Sequence, residues 1–305
     1  MQYLILLVGF ICLIKGADIF VEGSSSLAKK FHIPSMIIGL TIVAMGTSAP
    51  EASVSMLSAM NKMTDLSIAN VVGSNIFNLL MVLGVSTLIC KLPIAKSSMR
   101  RDLPLLIVSY ILVLIFSIDK IISCFEGIIL LVIFFGFIYS MIKESKNNNE
   151  ATEEINEIPI MKTIIFIVVG LSGIIFGGNM TVESASVIAS QLGMSQNLIG
   201  LTVVAVGTSL PELVTSVTAA RKGEVDIAIG NVLGSNIFNI LMIIGFSSVI
   251  CPLPLDINSI IDIIFMTLMT ITFMLVVTHK KEVDKKLGVF YIILYIGYII
   301  YTILR

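Results

Sequence analysis

The chain has 305 residues, 56% of them hydrophobic and only 13% charged, with a mean hydropathy of +1.03 and a net charge of −1. A soluble domain carries about 25% charged residues, so roughly half of the usual solvating surface is missing. The deficit runs along the whole chain, which excludes a soluble domain on a single anchor, and the near-neutral balance leaves no nucleic-acid footprint.

Apolar runs of about 20 residues, the length that spans a bilayer core, predict helices near 2–28, 35–60, 65–90, 103–118, 122–143, 161–190, 196–220, 225–250, 258–278 and 287–304. Several exceed the minimum, which suggests tilt. The first run has neither a basic n-region nor a small-residue cleavage site, so it reads as a spanning helix and not as a signal peptide. The expected fold is therefore all-α and integral to the membrane, with ten transmembrane helices. The one long polar connection, ESKNNNEATEEINEIPI at 144–160, reads as a mobile linker. It divides a first five-helix unit, 1–143, from a second, 161–305. Of the 19 Lys and Arg residues, 15 fall in one set of alternate loops, 3 on the opposite side and 1 inside a helix. The positive-inside rule makes the first side cytoplasmic. A multi-pass plasma-membrane protein is expected, with both termini outside and the linker in the cytoplasm.

Cys12, Cys90, Cys124 and Cys251 form no C-x-x-C pair, and His32 and His279 sit at predicted helix ends. Zinc ligation, a disulfide framework and a histidine metal site are not suggested. Self-comparison is more informative. IIGLTIVAMGTSAPE at 37–51 returns as LIGLTVVAVGTSLPE at 198–212, and NVVGSNIFNLLMVLG at 70–84 returns as NVLGSNIFNILMIIG at 231–245. GADIFVEGSSSLA at 16–28 matches GGNMTVESASVIA at 177–189 more weakly; each pair is offset by 161 positions. An odd number of spans per copy sends the second copy in from the opposite face, and transporters so built place substrate where the two copies meet. Gly73 and Gly234 would suit close helix packing, but packing alone does not explain why the repeated segments carry carboxylates.

Glu51 and Glu212 lie well inside apolar spans with no basic residue in mid-helix. A lone carboxylate there costs at least ~2.5 kcal/mol, so it reads as part of an ion site with a cavity or partner. Each follows a proline, Pro50 or Pro211, which frees the carbonyls of Gly46 and Gly207. Thr47, Ser48, Thr208 and Ser209 add hydroxyl oxygens in the same turns. Carbonyl, hydroxyl and carboxylate oxygens together suit a hard cation such as Ca2+ or Na+; a plain proline kink with hydroxyls bonded back to the helix is the alternative. Ser74 with Asn78, and Ser235 with Asn239, stand at i and i+4, each pair on one helix face, either as ligands or as interhelical glue. Asn75 and Asn236 point elsewhere and are expected to brace the helix, and Asn70 and Asn231 to be structural. Asp18, Glu22 and Glu183, near helix ends, carry a weaker case for an ion path.

GTSAPE and GTSLPE, each followed by GSNIFN, resemble the two alpha repeats of the sodium/calcium exchanger family, across both five-helix units. That resemblance implies a ten-helix inverted-repeat fold, alternating access of one central site, and Na+ entry driving Ca2+ extrusion, with no catalysis and no cofactor. It implies that Glu51 and Glu212 are carboxylates shared by calcium and sodium sites, and that the Thr47 and Thr208 carbonyls complete the calcium shell. Ser48, Ser74 and the Ala44 carbonyl would build one sodium site; Ser209, Ser235 and the Ala205 carbonyl would build the other. Asn78 and Asn239 would flank the centre, and the helices at 2–28 and 161–190 resemble the family's sliding pair. Potassium-dependent relatives carry aspartate where this chain has Asn239. Two formal charges then balance one Ca2+ and leave none for K+, so the chain looks potassium-independent. An antiporter using K+ or H+ beside or instead of Na+ is the alternative, since protons could compete for buried carboxylates. A monomer in lipid with no obligate protein partner is expected. A channel would need a continuous pore with a ring of ligands. A membrane enzyme would need a nucleophile with a histidine partner or a metal-bound water, and no such pattern is present.

Overall fold

The computed structural model describes residues 1–147, 158–194 and 205–304. In chain order the helices are α1 (Gln2–Lys30), α2 (Ser35–Thr47), α3 (Ala49–Met60), α4 (Thr64–Ile89), α5 (Leu103–Phe116) and α6 (Cys124–Asn147). They continue as α7 (Ile160–Gln191), α8 (Ala205–Thr208), α9 (Leu210–Arg221), α10 (Val225–Ile250), α11 (Ile257–Lys280) and α12 (Lys285–Leu304). Seven of these are long and apolar enough to cross a membrane, or eight if the bent pair α2–α3 counts as one span. The predicted span at 103–118 is a helix of 14 residues led in by a wide π turn, Ser98–Asp102. The first part of the span at 196–220, and most of the linker at 144–160, lie outside the described residues.

The span at 35–60 breaks rather than kinks. Its two segments meet at 50°, with the bend at Ser48 (φ −83°, ψ 9°) and Pro50 within the first turn of α3. Proline fits there because first-turn N–H groups need no helical acceptor. Ser209 (φ −92°, ψ 6°) with Pro211 repeats the arrangement ahead of α9. Each break therefore places its glutamate, Glu51 or Glu212, in the first turn of a new helix, where the amide dipoles favour negative charge.

The apolar pattern decides which helices are central. The spanning window of α10 is 94% buried and that of α4 is 72%, against 22% for α7 and 17% for α12. The outer helices turn Leu, Ile, Val and Phe outward, for example Leu4, Leu7, Val168 and Phe176, as a bilayer rewards and water does not. Without water to drive association, helices in lipid meet through small residues. A Cβ on Gly170 of α7 would lie 2.5 Å from the Phe20 nitrogen of α1, and one on Gly16 would lie 2.7 Å from the Ile174 nitrogen. Gly234 of α10 is equally tight against Leu40, whose Cα a Cβ there would meet at 2.6 Å. Gly73, expected to pack likewise, has open space beside it; its helix is held from its other faces.

Contacts recur in pairs offset by the same 161 positions. Gly84 packs on Gly288 of α12, and Gly245 on Gly127 of α6. Four two-residue strands cap the helix ends: β1 (Leu92–Pro93), β2 (Ile121–Ile122), β3 (Leu253–Pro254) and β4 (Glu282–Val283). β1 pairs with β4 through Leu92 and Val283, and β2 with β3 through Ile122 and Leu253. Every one of these pairings joins the first half of the chain to the second.

Candidate functional site

Glu51 and Glu212 are both fully buried. Ser48, in the bend before α3, donates to Glu212 Oε1 at 2.7 Å, and Ser209, in the bend before α9, donates to Glu51 Oε1 at 3.0 Å. Each glutamate is thus held by the bend of the other copy. Ser74 of α4 also donates to Glu51 Oε1 at 3.2 Å and lies 2.8 Å from the Ser209 hydroxyl. Ser235 of α10 reaches the Ala44 carbonyl at 3.5 Å. The second oxygen of each carboxylate, Oε2, is buried with no hydrogen-bond partner. A buried polar atom left so carries a penalty of about 1–3 kcal/mol, more when charged, which a cation held between the two carboxylates would offset.

The threonines behave differently from the serines. The Thr47 hydroxyl donates to Asn231 Oδ1 at 3.0 Å, and the Thr208 hydroxyl to Asn70 Oδ1 at 3.4 Å. These hydroxyls are therefore committed, and only the carbonyls of Thr47 and Thr208 remain as candidate ligands. Ala44 is fully buried, and Ala205 opens α8. Asn70 and Asn231 prove to be staples. Asn231 donates to the Glu212 carbonyl at 3.3 Å and to Ser216 at 2.9 Å; Asn70 does the same to the Glu51 carbonyl at 3.3 Å and to Ser55 at 2.8 Å. Each asparagine fixes the helix that carries a glutamate and catches the opposite threonine. Their repeated position made them candidates; nothing in sequence shows the cross-copy half of the contact.

The expectation that Asn75 and Asn236 brace a single helix is widened: they brace two. Asn75 Nδ2 donates to the Asn236 carbonyl and Asn236 Nδ2 to the Asn75 carbonyl, both at 3.2 Å. This is the reciprocal pair that a two-fold relation produces. Asn78 and Asn239 differ from each other. Asn239 Nδ2 donates to Asn75 Oδ1 at 2.9 Å and leaves its own Oδ1 unpartnered, whereas both amide atoms of Asn78 are buried without a partner. Wide π turns begin at Asn78 and at Phe238, the residue before Asn239; such turns concentrate at functional sites.

A cavity of about 350 Å3 reaches both prolines from one side, lined by Pro50, Ser53, Asn179, Glu183, Thr208 and Pro211 among others. Of the matching positions across the copies, Ala17, Val21, Thr47 and Thr215 are fully buried, while Ile14 and Glu22 are exposed. There Lys222 binds the Asp18 carbonyl at 2.6 Å and pairs with Glu22 at 3.6 Å. Glu224 accepts from Ser25 and pairs with Lys29 at 3.7 Å. Glu183 thus faces the cavity while its counterpart Glu22 is tied down, a difference the repeat could not predict because Asn61 and Met63 stand where Lys222 and Glu224 do. Among the described residues no cluster of three or more His, Cys, Asp or Glu could hold a metal. What the site gathers is two carboxylates with neutral oxygens.

The sodium/calcium exchanger protein family profile matches residues 1–143 and 162–304. The chain is 30% identical over 341 residues to the sodium/calcium exchanger MaX1 of Methanosarcina acetivorans, covering 98% of this chain and 97% of that one. It is 42% identical over 258 residues to the putative antiporter CaxA of Alkalimonas amylolytica, covering 82% and 81%. The solved sodium-calcium exchanger NCX_Mj superposes with a TM-score of 0.87 at 30% identity, covering 100% of this chain and 99% of that one.

Proposed function

The chain belongs to the sodium/calcium exchanger family, and on that premise we propose that it exchanges Na+ for Ca2+ across the cell membrane by alternating access, independently of K+. Ions are its transported substrates and it uses no cofactor. The observation that carries the reading is the crossed pair Ser48–Glu212 and Ser209–Glu51, with one buried, unpartnered oxygen on each carboxylate. Two such oxygens supply the two charges that neutralise one Ca2+, and the neighbouring serine hydroxyls, the Ala44 and Ala205 carbonyls, the Thr47 and Thr208 carbonyls and the amides of Asn78 and Asn239 complete an oxygen shell. Two Na+ ions are neutralised by the same pair, so the ions compete for one set of ligands.

Ten spans in two inverted five-helix units, 1–143 and 161–305, are supported by the reciprocal contacts of Asn75 with Asn236 and of the strand pairs. Alternating access is supported by a cavity that reaches Pro50 and Pro211, the residues that precede the two glutamates. Independence from K+ follows from Asn239, which supplies no third charge. We further assign both termini to the outside, the linker 144–160 to the cytoplasm, and a monomer as the working unit.

The test is 45Ca2+ uptake into Na+-loaded proteoliposomes diluted into Na+-free medium, with and without K+, for the wild type, Glu51→Gln and Glu212→Gln. Uptake that requires internal Na+, ignores K+ and is lost in both variants is expected. Uptake without a Na+ gradient would overturn Na+ coupling, and uptake that needs K+ would overturn the role given to Asn239.

A further inference from the structure

Resting on that reading, we propose that Tyr110 is a positioning residue which, through Asn75, fixes the side-chain carbonyl of Asn239 as a ligand for the transported cation and so makes the two copies of the site unequal. Tyr110 is fully buried on α5 and lies outside both repeated motifs. Its hydroxyl accepts from Asn75 Nδ2 at 3.2 Å. That same nitrogen also serves the Asn236 carbonyl at 3.2 Å, so both of its N–H bonds are directed away from Asn239. Asn75 must then offer Oδ1 to its other neighbour, and Asn239 Nδ2 takes it at 2.9 Å. An amide that donates through nitrogen on one side presents oxygen on the other. Asn239 Oδ1 is that oxygen, buried and unpartnered.

The first copy has no such relay. The residue 161 positions beyond Tyr110 is Ile271, which has no hydroxyl, and neither amide atom of Asn78 has a partner. Asn78 is free to turn either its nitrogen or its oxygen towards the ion as the occupant changes. Asn239 offers only oxygen. The fixed carbonyl favours a cation that takes many oxygen ligands at once, because none of its ligands then has to be reoriented on binding. The free amide adapts to whichever ion is bound.

The experiment is equilibrium 45Ca2+ binding to purified protein in detergent, for the wild type, Tyr110→Phe, Asn75→Ala, Asn239→Ala and Asn78→Ala, and for Tyr110→Phe combined with each of the last two. Tyr110→Phe is expected to weaken Ca2+ binding about tenfold and, by leaving one buried Asn75 N–H without its acceptor, to lower the melting temperature modestly, and Asn75→Ala to weaken binding as much or more. With Asn239→Ala the two losses should not add, since one acts through the other; with Asn78→Ala they should multiply. Equal multiplication in both pairs, or a Tyr110→Phe protein that binds like the wild type, overturns the relay. A wild type that binds no Ca2+ overturns the exchange reading and the relay with it.

Discussion

Replacing Gly170 by alanine tests how α1 and α7 meet. The added methyl would lie 2.5 Å from the Phe20 nitrogen, 2.7 Å from the Phe20 Cα and 2.8 Å from the Gly16 carbonyl oxygen. All three are backbone atoms, so no side chain can swing aside. Relief to an ordinary contact of 3.4 Å needs the two helices to part by about 1 Å along this stretch, an overpacking strain of about 1–3 kcal/mol. Parting would also loosen the reciprocal contacts at Gly16 and Ile174. Gly136→Ala is the control, because open space surrounds a Cβ there and alanine is the better helix former. Thermal unfolding in detergent and Na+-dependent 45Ca2+ uptake would be measured on both. Gly170→Ala should melt several degrees lower and transport more slowly, with Gly136→Ala equal to the wild type or slightly more stable. A Gly170→Ala protein as stable and as active as Gly136→Ala would refute the close backbone contact.

Three further outcomes are expected. Asn231→Ala leaves the Thr47 hydroxyl only the longer bond to the Ala44 carbonyl at 3.3 Å and frees the helix that carries Glu212, so it should lower stability by about 1–3 kcal/mol and weaken Ca2+ binding; Asn231→Asp, which keeps the acceptor, should recover part of the stability. In a background lacking the four cysteines, Ser53→Cys in the cavity should react with a water-soluble thiol reagent much faster than its counterpart Val214→Cys, and equal rates would contradict a cavity that reaches Ser53 and not Val214. Asp284 caps α12 through the Leu287 N–H at 2.9 Å and pairs with Lys280 at 3.2 Å, which together hold its carboxyl below the usual range. Its contribution is therefore present above its unfolded value of about 3.9 and is lost as pH falls through the lower folded one. The melting-temperature gap between wild type and Asp284→Ala should be flat above pH ~5 and close below pH ~4, and a gap that widens on acidification would reverse the sign.

Much of this was legible in the chain because lipid punishes ambiguity. A run of apolar residues long enough to span has few other uses, so the long helices fall within a few residues of their predicted bounds. A carboxylate inside such a run demands an explanation, and Glu51 and Glu212 stand out for that reason. The break at Ser48 was less legible: Pro50 announced a kink, but proline in a helix interior and proline opening a new helix leave the same trace in sequence. The crossed bonds from Ser48 to Glu212 and from Ser209 to Glu51 were not legible at all, since spacing within one copy says nothing about which oxygen of the other copy it meets. Tyr110 was hidden for a plainer reason. One aromatic residue in an apolar helix looks like any other until its hydroxyl is seen against Asn75.

The short strands at the helix ends bear on how such a machine divides its labour. β1 and β2 flank α5, β3 and β4 flank α11, and each is stitched to a strand from the other half. The peripheral helices of one copy are thereby hemmed to the core of the other by main-chain bonds that survive any change of side chain. α1 and α7 adjoin none of these seams; they meet chiefly through bare backbone along glycines, a contact with little to snag on. A pair that can glide beside a sewn frame would let the protein change shape while the ligands crossed between its halves stay in register.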